Sequence, residues 1–84
     1  MADVKMTPSA VRQFAALPVI VQKRIRKLKE RLTKWPDVSG AKPLTGNLVG
    51  SYRLRTGDYR LRFHVQGETV IVDKIGHRKE IYDD

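Results

Sequence analysis

The chain has 84 residues, no cysteine and a formal net charge of +8, which holds it to one domain (residues 1–84) with a single modest core and no disulfide framework. No basic segment followed by an apolar run opens it, and no stretch approaches the roughly 18 apolar residues of a membrane helix, so a soluble, cytoplasmic protein without a membrane partner is expected. The charge calls for an acidic partner, and its division between two separate basic stretches suits a long anionic target better than one small phosphate ligand.

Asp3 to Met6 reads as a short strand. Thr7-Pro8 then sets a capping hydroxyl before a proline at the first helical position. Val11, Phe14 and Leu17, with Ala10 and Ala15 beside them, predict an apolar helix stripe that Pro18 ends. The same Pro18 opens a second helix, antiparallel to the first, whose buried face is Val21, Ile25, Leu28 and Leu32 and which runs to about Thr33. Between Pro18 and Trp35 seven basic residues (Lys23, Arg24, Arg26, Lys27, Lys29, Arg31, Lys34) stand against one acid, Glu30. Trp35-Pro36 ends the helix, and 37–50, rich in Gly, Pro, Asn, Ser and Thr, reads as a loop anchored by Leu44.

From Ser51 the apolar period becomes alternating, and three strands fit, at about 51–56, 59–65 and 69–75, joined by the turns "TGD" and "QGE". The predicted fold is a two-layer α+β domain of order β-α-α-β-β-β, with two helices on one face of a small, mostly antiparallel sheet.

The stretch "YRLRTGDYRLRFHV" carries the strongest signal. A two-residue loop at Gly57-Asp58 sets Leu54 opposite Leu61, Tyr52 opposite Phe63, Arg55 opposite Arg60 and Arg53 opposite Arg62, whereas an odd loop would turn arginines into the core. Like charges directly across a hairpin oppose folding by roughly 0.2–1 kcal/mol each. A merely hydrated face would use mixed Lys, Glu and Thr. Arginine's planar fork suits phosphate oxygens, so the row points to a phosphodiester backbone. Through Gly67-Glu68 the third strand would place Asp73 opposite Arg62 and Ile75 opposite Arg60. Arg62 is then partly an ion-pair partner, and Lys74 falls on the helix-covered face unless that register is off by one. Two histidines, no cysteines and scattered carboxylates form no ligand pattern, so neither a metal nor another cofactor is expected.

"YRLRTGDYRL" and the closing "GHRKEIY" resemble the RelE family of toxin-antitoxin systems, within the wider RelE/ParE superfamily, over about Val4 to Tyr82. The resemblance implies a ribosome-dependent endoribonuclease that cuts mRNA in the decoding site by metal-free attack of a ribose 2′-hydroxyl on the adjacent phosphate. It implies a RelB-like antitoxin as partner, together with the ribosome and mRNA, and an oligomeric toxin-antitoxin complex that binds its own operator DNA. At matching positions Arg60 would stabilise the phosphate, and Arg78 would bind it and assist the leaving group. Tyr82 would orient the cut nucleotide, and Arg53 and Arg55 would position substrate. Arg62 and the helix residues Lys23, Arg26 and Lys27 are further candidates for RNA contact.

Family members often carry lysine where this chain has Arg53 and Arg55. Arg55 stays protonated and makes a poor general base, which leaves His77 or Tyr82 for proton transfer. His64 lies on the arginine face, far along the strands from His77. Two other readings stand beside the nuclease: a ParE-like inhibitor of DNA gyrase, which would have no need of Arg60, Arg78 and Tyr82, and an RNA-binding homologue impaired in catalysis.

Overall fold

A computed structural model describes residues 1–81 of the chain. After strand β1 (Asp3–Met6), Thr7 Oγ1 accepts the Ala10 N–H at 3.1 Å, with Pro8 at the first position of α1 (Pro8–Ala15). Pro18 stands before α2 (Val19–Leu32), its carbonyl accepting from the N–H groups of Val21 and Gln22. Gln22 Nε2 donates back to the Phe14 carbonyl at 3.1 Å, so the side chain that leaves the first turn of α2 also closes the end of α1.

The predicted face of α2 is the buried one: Val21, Ile25, Leu28 and Leu32. The stripe on α1 is shifted. Ala10 is buried and Phe14 and Leu17 pack against the core, while Val11 is 50 % exposed. Positions 10, 14 and 17 follow four-three spacing, and one residue's rotation of about 100° carries Val11 off that line.

Four more strands follow: β2 (Lys42–Pro43), β3 (Ser51–Thr56), β4 (Tyr59–Gln66) and β5 (Thr69–His77), in the sheet order β1-β5-β4-β3-β2. β1 runs parallel to β5 and the other pairs are antiparallel. The two-residue β2 lies within the segment expected to be a loop, paired to Tyr52 and Arg53. A proline is tolerated there because β2 is an edge strand, and with Lys42 it discourages further pairing. Leu44 is buried, outside the main core cluster.

That cluster joins Ala10, Val21, Ile25, Leu28 and Leu32 of the helices to Leu54, Leu61, Phe63, Val70, Val72 and Ile75 of the sheet. At one end Trp35, just past α2, sets its ring edge against Tyr52 at 4.8 Å and Phe63 at 5.3 Å between centroids.

The β3–β4 register is the expected one, closed by Gly57-Asp58 with Gly57 at φ 60°. The β4–β5 register differs from the expected one. Pairing runs as predicted from Gln66↔Thr69 to Phe63↔Val72, then shifts by one, so that Arg62 faces Lys74, Leu61 faces Ile75 and Arg60 faces Gly76. Asp73 is the extra residue of a bulge. The reason is burial: the shift brings Ile75 into the core at 2 % exposure and takes Lys74 off the covered face.

β1 covers β5 only from Thr69 to Val72, and beyond its end Gln13 of α1 takes over, its Oε1 accepting the Ile75 N–H at 2.8 Å. Gln13→Ala is expected to lower unfolding free energy by about 1–3 kcal/mol, as expected when a partly buried N–H loses its acceptor. Gln13→Glu, which keeps an acceptor in place, is expected to lose less. Equilibrium urea unfolding measures both, and equal losses would contradict this role for Gln13.

Candidate active site

Strand alternation sorts β3 and β4 cleanly: leucines and aromatics toward the helices, and Arg53, Arg55, Arg60 and Arg62 on the opposite face, as the cross-strand pairs Arg53↔Arg62 and Arg55↔Arg60. Arg53 is only 8 % exposed, Arg60 and Arg62 are half-buried and Arg55 is open to solvent. Burial, then Arg60 and Arg55, lower the pKa of Arg53 below the ordinary arginine value. Arg60 is lowered by burial, Arg55 and Arg78, with Asp58 partly opposing them. An arginine stays charged regardless. What these shifts describe is positive charge gathered on one face of the sheet, where burial and neighbouring arginines act in the same direction.

Arg78 joins this group through the β3–β4 turn. Its backbone N–H donates to the Asp58 carbonyl at 2.7 Å, and its Nε lies 3.9 Å from Asp58 Oδ1, with both side chains more than half exposed. So open a pair stabilises little; its effect is to keep Arg78 beside the hairpin tip. Arg62 is differently placed. Its Nε donates to Asp73 Oδ1 at 2.7 Å while His64 Nδ1 meets the other carboxylate oxygen at 2.9 Å, so the bulged Asp73 ties both down. The ion pair expected of Arg62 is present, reached through the bulge.

His77 follows Gly76 on β5 and stands opposite Tyr59, its ring edge-on to the Tyr59 ring at 5.4 Å. Its Nδ1 accepts the Lys79 N–H at 3.2 Å, so the neutral ring carries its proton on Nε2. The structure therefore turns His77 toward Tyr59, which packs on the core, and not toward the arginine row. Tyr82 lies outside the described residues. Lys23, Arg26 and Lys27 are exposed on α2, in the other layer, and the Arg26 guanidinium lies 5.3 Å from the Phe14 ring centroid.

Three residues that sequence reasoning did not single out complete the site. Asp58 was seen only as a turn residue, although it holds Arg78. Gly76 lies opposite Arg60, and a Cβ there would meet Glu80 Cβ at 3.6 Å and Ile81 Cγ1 at 3.7 Å. The chain thus folds back over Gly76 and buries Ile81 to 1 % exposure. The available signal was a glycine at the end of a strand, followed by an isoleucine after a charged run. Among the described residues no group of three or more His, Asp or Glu gathers in the manner of a metal site.

Because Arg55 presses on both Arg53 and Arg60, Arg55→Gln is expected to raise stability by about 0.2–1 kcal/mol. The gain should shrink as salt screens the repulsion. Denaturant unfolding at low and high ionic strength reads the effect, and a destabilised variant would show that Arg55 is held by attraction.

A family model described as the ParE toxin of the parDE type II toxin-antitoxin system matches residues 4–82. Toxin RelE3 of Methanocaldococcus jannaschii is 32 % identical over 76 residues, covering 87 % of this chain and 86 % of that protein. Among solved structures, the RelBE2 toxin-antitoxin complex of Mycobacterium tuberculosis matches with a TM-score of 0.80 at 25 % identity, over 92 % of this chain and 91 % of the matched chain. The RelB-RelE antitoxin-toxin complex of Methanococcus jannaschii matches with a TM-score of 0.76 at 28 % identity, over 93 % and 94 %. No helix among the described residues is long and apolar enough to cross a membrane. Similar along nearly its whole length to these toxins in both sequence and fold, the chain belongs to the RelE/ParE superfamily and is a RelE-family toxin of a type II toxin-antitoxin system.

Proposed function

We propose that the protein is an endoribonuclease that cuts mRNA on the ribosome. The observation that carries this reading is the convergence of Arg55, Arg60 and Arg78 around one hairpin tip, with Arg53 behind them, on a RelE fold. In the proposed reaction the 2′-hydroxyl oxygen attacks the adjacent phosphorus and the bond from phosphorus to the 5′-oxygen breaks. The products are a 2′,3′-cyclic phosphate and a 5′-hydroxyl. One proton leaves the attacking oxygen and one reaches the leaving oxygen. Arg60 stabilises charge on the phosphoryl oxygens, Arg78 faces the leaving group, and Arg53 and Arg55 hold the strand, so the arginines supply the positive charge that the transition state requires. With Arg55 permanently protonated and His77 turned to Tyr59, proton transfer falls to Tyr82.

A gyrase-binding role has the wording of the matched family model in its favour. Against it stand the RelE relatives and the arginine set itself, for which binding to a protein gives no need. The partner that restrains the enzyme is a RelB-like antitoxin offering acidic and apolar side chains, in an oligomeric complex that binds its operator DNA. A ribosomal target places the protein in the cytoplasm.

Primer extension on programmed ribosomes tests the reading. Wild type is expected to leave new mRNA ends in the decoding site, Arg60→Ala and Arg78→Ala each to lose about 10²–10³-fold in rate, and Arg62→Ala, whose guanidinium is already committed to Asp73, to lose far less. Naked RNA is expected to be cut poorly. Intact mRNA together with blocked gyrase supercoiling would sink the proposal.

A further inference from the structure

We propose that Arg24 of α2 is a phosphate-contacting residue that carries the RNA-binding surface from the arginine face of the sheet, around the Gly57-Asp58 turn, onto the exposed side of the helix. The inference deepens the RNA reading above and rests on it for the class of ligand.

The basic residues of α2 look equivalent in the sequence, and the structure separates them. Arg26 is drawn over the Phe14 ring. Arg31 donates from Nη2 to the Ser39 carbonyl and so ties the helix to the following loop. Arg24 reaches the β3–β4 turn: a Cβ built on Gly57 would lie 3.3 Å from Arg24 Nη1, so the guanidinium rests directly against that glycine. Gly57 makes room for it by having no side chain. Arg24 is solvent-exposed and makes no ion pair with any described residue.

The same two-residue turn carries Arg78 on the carbonyl and carboxylate of Asp58, and the strand ends beside it carry Arg55 and Arg60. Guanidinium groups from α2, from the hairpin and from the segment after β5 thus converge on one turn whose own carboxylate, Asp58, already faces Arg78. The only acid of the turn, Asp58, faces Arg78 at 3.9 Å, and Arg24 rests against Gly57 with no ion pair of its own among the described residues. A strand of phosphates passing over the tip gives it one. Cations spaced along a path rather than gathered in a pocket are what a single-stranded backbone follows, and from Arg24 the path continues to the exposed Lys23 and Lys27.

The test uses the full-length protein and a short single-stranded RNA carrying 2′-O-methyl groups throughout, which binds without being cut. Binding is measured against salt for wild type, Arg24→Gln and Arg12→Gln, the last an exposed α1 arginine serving as control. Arg24→Gln is expected to weaken binding several-fold near 0.1 M salt and to flatten the plot of log K against log salt by about 0.7, the loss of one single-strand phosphate contact. Arg12→Gln should leave the slope unchanged.

Equal slopes for wild type and Arg24→Gln would overturn the inference, even for a protein that cuts mRNA on ribosomes. A flattened slope in a protein that leaves mRNA intact would uphold Arg24 as a phosphate contact and refute the nuclease reading. If Arg24→Gln loses binding to a poly-glutamate peptide and keeps the RNA slope, the residue belongs to an acidic protein partner and the inference falls.

Discussion

The two-residue turn at Gly57-Asp58 is the constraint on which the rest of the molecule depends. By joining β3 to β4 with an even register it pairs Leu54 with Leu61 and Tyr52 with Phe63 on the helix side, and in the same stroke pairs arginine with arginine on the other. The two consequences cannot be separated, because a slip of one residue exchanges the faces. Magnitudes decide which wins. Two like-charge pairs on an open face oppose folding by about 1 kcal/mol each at most, whereas turning arginines into the core would strand unpaired charge at a penalty of several kcal/mol per ion. The hairpin therefore tolerates its repulsion. With Gly57 alone at positive φ and Asp58 at negative φ, the loop has the form that matches strand twist, and it leaves the Asp58 carbonyl free to hold Arg78.

The bulge at Asp73 divides the arginine face into two parts with different duties. Without the extra residue Lys74 would sit opposite Leu61 inside the domain and Ile75 outside it. Burying Ile75 instead is worth roughly 1.5–3 kcal/mol, enough to select the shift. The displaced residue is an aspartate, and its carboxylate holds Arg62 and His64 at the far end of the face. No such bridge from Asp73 reaches Arg55, Arg60 or Arg78 at the hairpin tip. One end of the positive surface is thereby tied to Asp73, while Arg55 and Arg78 at the other end stand exposed to solvent.

Much of this was legible because two periods were clean. The alternation of residues 52–63 around a glycine turn allows only one register, and the four-three spacing of Val21, Ile25, Leu28 and Leu32 is long enough to define a face. On α1, with only eight residues, two neighbouring stripes fit almost equally well and the contact with β5 chose between them, leaving Val11 outside. The bulge announced itself as a misfit, a lysine assigned to the core, but an alternating pattern cannot say which residue is the extra one. β2 had no period to show, being two residues long with a proline. His77 was misplaced by proximity in sequence: adjacency to Arg78 says nothing about which side of a strand a ring leaves from, and here it leaves toward Tyr59.

The placement of His77 bears on how the proposed chemistry is shared. General acid-base catalysis by a positioned side chain contributes typically about 10²–10⁴-fold, and the histidine that the described residues place on the arginine face, His64, is tied to Asp73 at the end away from the hairpin tip. Around the tip the described residues bring guanidinium groups, fixed by strand pairing, by the turn and by the fold-back over Gly76. A site so composed lowers the barrier chiefly by meeting developing phosphoryl charge with dipoles and cations already in place, at no cost of rearrangement during the reaction. Such a site is effective only if the RNA arrives with its 2′-oxygen in line with the leaving oxygen, and a shallow positive face on a domain this small has few means of imposing that geometry alone. In this reading, dependence on the ribosome follows from the shape of the site: the ribosome supplies the alignment that an open row of arginines lacks.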